Sequence, residues 1–415
     1  MRLLLVPFYF PPAGGAGVQR PLKFAGLLAE AGVEVHVLAP DDSRWIHRDD
    51  ELVVPPAVHV HRARYVGPGG RRPAEELYGR RGLDRLARRL ALTPRRALLP
   101  DENATWLATA IPRAVSLVRR ERIDVVLTTS PPASVHLVGA AVQRLTGVRW
   151  VADVRDSLVA EHSLRVERAA VRLKQRTQAE VARVVARRAD GIVAVTETIA
   201  EELRALGARG PVFTIPNGAD FDDFDGVEYR PGERFRLTHT GSFFARRTAL
   251  PILEALARAD DVVVARFVGD FRQAERDMAE GLGLGDRLEL PGFQTRRRTL
   301  ELQRDTEALL LLLPDVGERG RDVPSGKLYE YLAAERPILA AVPPDGAAAA
   351  LVRDTGSGVV VPPDDVAALG AALHELVERW RAGTLAAPRL SEEWKERLSR
   401  RTRAQELLAA LEQVE

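Results

Sequence analysis

The chain has 415 residues, 46% apolar and 28% charged, and its 60 basic against 58 acidic residues leave a net charge of +2. That length exceeds one ordinary core and predicts two domains, and the near balance of charge gives no general affinity for nucleic acid. The absence of cysteine excludes disulfides, thiolate zinc and a cysteine nucleophile and fits a cytoplasmic protein; the eight histidines show no metal-ligand spacing, so neither metal nor cofactor is expected.

The first forty residues read as strand Leu3 to Phe8, a glycine-rich loop from Pro11 to Gly17, a helix from Arg20 to Ala31 stopped by Gly32, and strand Val33 to Leu38. Pro7, Pro11 and Pro12 interrupt the opening apolar run too early for a signal peptide, so it is predicted to be a buried strand. The alternation resumes with strand Ile123 to Thr128, helix Ala133 to Leu145, strand Arg149 to Val154, a long basic helix Glu167 to Arg188, strand Gly191 to Val195, helix Ile199 to Leu206 and strand Val212 to Ile215. Pro216-Asn217-Gly218 closes this series as a turn, and the polar, aspartate-rich stretch that follows reads as a linker.

A second series then begins. Strands are predicted at Arg236 to Thr240, Val262 to Val268, Leu288 to Leu290, Ala308 to Leu313, Ile338 to Val342 and Gly358 to Val361. Helices are predicted at Ala249 to Arg258, Ala274 to Leu282, Arg298 to Arg304, Ser325 to Glu335, Asp365 to Ala382 and Ser391 to Gln413. No segment is long enough to span a bilayer, because the leucine run ends at Pro314. The fold class is therefore α/β, with two Rossmann-like domains facing each other across a cleft. The boundaries are 1–218, a linker 219–235, a second domain 236–386 and a closing segment 387–415.

In parallel sheets ligands sit beyond the carboxyl ends of the strands, so three strand-to-helix loops carry the functional expectation. The first is Pro11 to Arg20, where Gly15 and Gly17 permit close approach of an anion; it is not a GxGxxG fingerprint. The second is Thr240-Gly-Ser-Phe-Phe-Ala-Arg-Arg247, where Gly241 permits close approach and Arg246 or Arg247 is placed to clamp a diphosphate bidentately, a solvated arginine pair being the alternative. The third is Asp322-Val-Pro-Ser-Gly-Lys-Leu-Tyr-Glu330, which joins the leucine strand to a helix. A helix start favours anions through its free N–H groups and its dipole. Lys327 is one of only four lysines against 56 arginines. Ser325, Gly326, Lys327 and Leu328 are thus placed to suit a diphosphate and Glu330, one turn on, to suit ribose hydroxyls, a surface Lys327–Glu330 helix pair being the alternative.

These residues resemble the GT-B glycosyltransferases of family 4, which are retaining and use nucleotide sugars. Asp322-x7-Glu330 is similar to that family's Glu-x7-Glu motif, with Asp in first place. Pro324-Ser-Gly-Lys-Leu-Tyr-Glu-Tyr-Leu-Ala333 is similar to its PSK…EY segment. Gly17-Val-Gln19, Thr129-Ser-Pro-Pro132, Asp153-Val-Arg-Asp156, Ile215-Pro-Asn-Gly218 and Thr240-Gly-Ser242 follow in the family's order. The resemblance implies catalytic roles for Asp322 at the donor sugar and for Lys327 and Arg247 at the diphosphate. It implies donor contacts from Gly15 and Gly17 in the first domain, base contacts from Gly269 and Phe293, and a last helix, with Trp394, that crosses back onto the first domain. It implies no metal and no cofactor beyond the nucleotide-sugar co-substrate.

The hydroxyl acceptor is assigned to Asp153, Arg155, Asp156 and His136 after first-domain strands, a plain helix-face histidine being the alternative for His136. Arginine-rich stretches at 71–96 and 165–188 read either as peripheral contact with anionic membrane or as solvated helix faces. Nucleic acid is not an expected partner, since no stacking aromatics accompany these arginines. Two other functions fit the same scaffold: a nucleotide-sugar 2-epimerase and a non-catalytic nucleotide-sugar binder.

Overall fold

The computed structural model describes residues 1–41, 47–67, 82–83, 98–159, 169–243, 248–315, 321–322 and 324–414. The chain divides into two units, Met1–Asn217 with Arg403–Glu415, and Gly218–Thr402.

The first unit runs β1 (Arg2–Pro7), α1 (Gln19–Glu30), β2 (Glu34–Pro40), β3 (Val58–Ala63), α2 (Leu107–Arg120), β4 (Val125–Thr129), α3 (Val135–Thr146), β5 (Arg149–Val154), α4 (Ala169–Arg188), β6 (Gly191–Ala194), α5 (Glu197–Ala205) and β7 (Val212–Thr214). Its sheet is parallel, in the order β3-β2-β1-β4-β5-β6-β7. Both faces are covered, which is why the strands read as unbroken apolar runs. In β1, Leu3 and Leu5 enter one core cluster and Leu4 and Val6 the other. Gly32 ends α1 at φ 86°, as its position predicts.

The second unit continues with β8 (Phe235–Thr240), α6 (Leu250–Arg258), β9 (Val263–Val268), α7 (Gln273–Gly281), β10 (Leu288–Gly292), α8 (Arg296–Arg304), β11 (Ala308–Leu312), α9 (Gly326–Ala333), β12 (Ile338–Ala341), α10 (Ala347–Asp354), β13 (Gly358–Val361), α11 (Val366–Arg381) and α12 (Glu392–Leu398). The parallel order is β10-β9-β8-β11-β12-β13. The five leucines are explained by alternation: Leu309, Leu311 and Leu313 pack on one face, Leu310 and Leu312 on the other. Strand order reverses between β8 and β11, so the loops after these two strands border the crevice where such sheets bind ligands. They are the second and third loops singled out above.

Three differences from the sequence reading stand out. β3, α2 and α10 have no counterpart in it. The segment expected to be a linker is packed onto the second unit: Phe224 is buried, and Tyr229 donates to Glu307 Oε1 at 3.0 Å. The last helix is two helices. At Ser399 the chain extends and bridges Ala219, with Ala219 N–H donating to Leu398 O at 2.7 Å, so α12 with Trp394 belongs to the second unit. Only the following helix, α13 (Arg400–Glu412), returns to the first unit, from Arg403. The arginine stretch at 71–96 lies, apart from Gly82 and Leu83, outside the described residues.

Candidate functional site

At the end of β8 the chain reads His239-Thr240-Gly241-Ser242. Gly241 has φ 114°, and its N–H donates to Val268 O at 2.7 Å. A Cβ there would lie 2.5 Å from Lys327 Cε and 2.6 Å from Nζ, so the Lys327 side chain rests directly on the glycine. Gly269, after β9, has φ 126°, and a Cβ would come within 2.8 Å of the Gly241 carbonyl carbon. The two glycines thus sit back to back, and no other residue fits either place without moving the loops. Asp270 N–H donates to Ser242 Oγ at 3.1 Å, and Gly269 N–H to Gly292 O at 2.9 Å, which joins the ends of β8, β9 and β10.

Lys327 Nζ lies 3.2 Å from His239 Nε2. His239 Nδ1 is 2.9 Å from Leu310 O, which can only accept, so Nδ1 carries the proton. Nε2 of the neutral ring is then an acceptor and the Lys327 ammonium donates to it. His239 is buried against Phe243 and Phe267, which fixes the ring and hence the lysine.

α9 is anchored from behind. Tyr331 is fully buried, its hydroxyl accepts the Thr240 N–H at 2.8 Å, and burial pushes its phenol up to about 12. The helix start faces the other way: Ser325 holds φ 56° and ψ 135° and makes no side-chain cap. The Ser325 hydroxyl thus does not cap the first N–H groups of α9, as an anion site at a helix start requires. Ser325 and Lys327 are half-buried and Gly326 is exposed. The Leu328 side chain is buried in the core with Leu309, and its N–H donates to Ser325 O at 3.1 Å.

Glu330 is half-buried and strongly held. Arg296 donates to Oε1 at 2.5 Å and Gln303 to Oε2 at 3.1 Å. Arg296 also donates to Asp223 Oδ2 at 3.2 Å. Burial opposes the charge of Arg296, but the carboxylates of Glu330, Asp223 and Asp220 outweigh it and hold the guanidinium above the usual arginine value. Asp322 is exposed and lies before the helix, beside Arg321, which bridges Asp315 and Asp345. Phe293 is half-buried just beyond β10. Arg246 and Arg247 lie outside the described residues.

The first-domain residues divide differently. Asp153 is buried and fully engaged: Arg20 donates to both oxygens at 2.9 and 3.1 Å, and the Thr129 hydroxyl donates at 2.6 Å. Burial alone would raise its pKa, but Arg20 and Thr129 hold the carboxyl below the usual carboxylate range. His136 is fully buried, its Nδ1 2.9 Å from Thr128 Oγ1, and burial lowers its pKa to about 4. Asp153, at the end of β5, and His136, in the first turn of α3, are both turned inward and buried, which leaves Arg155 and Asp156 as the more accessible members of the set. Arg155 is half-buried and donates to Gly17 O at 3.0 Å; Asp156 is exposed, as is Gly15 at φ 94°.

Sequence reasoning missed His239, Arg296, Gln303 and Tyr331. His239 and Tyr331 flank motifs that it did single out, whereas Arg296 is hidden in a run of three arginines. Among the described residues no group of three or more histidines or carboxylates is arranged to hold a metal ion, and no helix is long and apolar enough to cross a membrane.

Residues 14–218 match the family model described as a glycosyl transferase 4-like domain. No curated protein sequence matches the chain. Among solved structures it is similar to sucrose-phosphate synthase from Thermosynechococcus elongatus, with TM-score 0.64, 18% identity and coverage of 100% of this chain and 98% of that one. It is similar to Anabaena Alr3699/HepE in complex with UDP-glucose, with TM-score 0.65, 16% identity and complete coverage of both chains. It is also similar to UDP-GlcNAc 2-epimerase from Methanocaldococcus jannaschii, with TM-score 0.53, 11% identity and 99% coverage of each.

Proposed function

We infer that this chain, a GT-B glycosyltransferase whose residues 14–218 belong to the glycosyl transferase 4-like family, moves a sugar from a nucleotide sugar to a hydroxyl acceptor with retention of anomeric configuration and without a metal ion. The observation that carries this reading is Lys327, seated on Gly241 at the uncapped start of α9, where β8 and β11 diverge. As the bond from the anomeric carbon to the diphosphate breaks, negative charge grows on the phosphate oxygens. An oriented ammonium and the N–H groups and dipole of a helix start stabilise that charge, and fixed groups of this kind commonly supply the greater part of an enzyme's rate acceleration.

In this reading Ser325, Gly326 and Lys327 hold the diphosphate, with Arg246 or Arg247 as a further cation. Glu330 takes the ribose and Asp322 approaches the sugar. The acceptor oxygen bonds to the anomeric carbon on the face that the diphosphate leaves, and a departing phosphate oxygen takes the acceptor's proton. Arg155 and Asp156, the accessible members of the first-domain set, are assigned to the acceptor. The HepE complexes hold UDP and UDP-glucose, which makes uridine diphosphate sugars the first donors to test.

The test is Lys327→Ala. Stabilisation of the wild type by a nucleoside diphosphate in a thermal-shift screen should be lost in the variant, with kcat/KM down by at least about 100-fold and the apo melting temperature unchanged. Near-normal transfer by Lys327→Ala would overturn the assignment. NMR of the product fixes its anomeric configuration, and transfer abolished by EDTA and restored by a divalent cation would remove the metal-independent part.

A second reading, a nucleotide-sugar 2-epimerase, is favoured only by the likeness to the archaeal epimerase. Conversion of a nucleotide sugar to its epimer with no acceptor present would establish it. At the start of α4, Val171, Arg172, Leu173 and Arg176 are exposed, a basic and apolar surface suited to peripheral contact with anionic lipid at the inner face of the plasma membrane. Equal co-sedimentation with neutral and anionic vesicles would remove that part.

A further inference from the structure

The carboxylate of Glu330 is held by a single neighbouring helix. Arg296 in the first turn of α8 donates to Oε1 at 2.5 Å, and Gln303, two turns later on the same helix, donates to Oε2 at 3.1 Å. Residues seven apart share a helix face, so α8 delivers one donor to each oxygen. Both donors are themselves fixed. Arg296 is tied by its other nitrogen to Asp223 at 3.2 Å, and Gln303, fully buried, also donates to Thr240 Oγ1 at 2.9 Å. Thr240 is the residue before Gly241, on which Lys327 rests. The clamp on Glu330 and the seat of the lysine therefore belong to one hydrogen-bonded unit.

A carboxylate oxygen accepts at two positions. With one taken on each oxygen, Glu330 keeps one on each. Two adjacent acceptors at fixed spacing match two adjacent donors, as a vicinal diol presents them.

We propose that Arg296, with Gln303, is a positioning residue that aims Glu330 at the 2′- and 3′-hydroxyls of the donor ribose and so makes this site selective for ribonucleotides. The proposal rests on the reading of α9 as a nucleotide-sugar site. A purely structural ion pair between α8, α9 and the turn at Phe221–Phe224 would have the same distances but a different response to ligand chemistry. Losing it would weaken every nucleotide alike, whereas losing a positioning residue weakens only nucleotides that carry the hydroxyls.

The experiment is calorimetric titration of the whole chain with the best bound of UDP, ADP and GDP, and with its 2′,3′-dideoxy analogue. Wild type should bind the ribonucleotide at least tenfold more tightly than the analogue. Arg296→Gln should lose tenfold or more for the ribonucleotide and less than twofold for the analogue, and Arg296→Lys should recover part of the loss. Equal losses for both ligands, or none for the ribonucleotide, would overturn the proposal while leaving the nucleotide site standing. Wild type that binds no nucleoside diphosphate would overturn the site itself. Should Arg296→Gln not fold, Gln303→Met removes the donor on Oε2 with little change in volume, and the same selective loss is required of it.

Discussion

His136 shows how one buried side chain sets a pH limit without touching chemistry. Trp150 Nε1 donates to Thr128 Oγ1 at 2.8 Å, and the Thr128 hydroxyl is then free to donate to His136 Nδ1 at 2.9 Å. Nε2 must carry the ring proton, and it is buried with no partner. Protonating Nδ1 would break this chain and charge a ring that water does not reach, so burial lowers the pKa from 6.5 to about 4. Above 6.5 the ring is neutral in both folded and unfolded chains and stability is independent of pH through this group. Between 6.5 and 4 only the unfolded chain gains the proton, so stability falls as pH falls; below 4 the loss is complete, at about 3 kcal/mol. His136→Asn keeps an acceptor near Nδ1 but does not titrate. Urea unfolding across this pH range should show the wild type losing about 3 kcal/mol more than the variant. Parallel curves would place the ring in contact with water.

At the scale of elements, the start of α9 combines a signal that the sequence carried with strain that it did not. The spacing of Asp322, Lys327 and Glu330 marked the loop, and the helix lies where expected, at Gly326–Ala333. The backbone of Ser325, at φ 56°, is legible only in coordinates. A non-glycine residue there costs about 1–3 kcal/mol, and such strain persists where a loop must present its N–H groups in one direction. Ser325→Gly should therefore raise stability by about 1 kcal/mol, seen as a higher melting temperature, yet weaken nucleoside diphosphate binding because the loop is no longer held. A variant both less stable and tighter in binding would refute this account.

Other elements escaped the sequence reading for identifiable reasons. β3 reads Val-His-Val-His-Arg-Ala, with polar residues alternating into an edge strand, and not as a buried run. α2 carries Pro112 in its interior, which reads as a break. Arg296 was illegible because 56 arginines dilute any one of them, and only its position against Glu330 distinguishes it. Most of the strand-loop-helix rhythm, by contrast, was legible, since both faces of each sheet are buried and central strands such as β1, β4, β11 and β12 are apolar runs.

At the scale of the whole molecule, the chain leaves the first unit after Asn217 and re-enters it at Arg403. In the second unit the two strands of this passage are fastened together: Arg400 Nε lies 2.8 Å from Asp220 Oδ2, its terminal nitrogen donates to Gly218 O at 2.7 Å, and both side chains of the pair are almost fully buried. A buried pair of this kind resists removal of either partner more than it adds net stability. In the first unit the returning helix α13 does different work. Leu407, Leu411 and Val414 close one face of the sheet over Leu3, Leu5, Val35 and Val151, and a Cβ on Gly191 would meet Val414 at 2.6 Å. Ala404, Leu407, Ala410, Leu411 and Val414 are thus core of the first unit, although they follow the whole of the second in sequence. Leu411→Ala leaves a cavity at a fully buried position and should cost about 2–5 kcal/mol. The cost should fall on the first unit alone, because Leu411 belongs to no cluster of the second. In calorimetry with a saturating nucleoside diphosphate, the transition that the ligand raises should stay in place while the other moves down. If the ligand-sensitive transition falls by the same amount, the two units unfold as one, and the separate assignment of α13 to the first core is overturned.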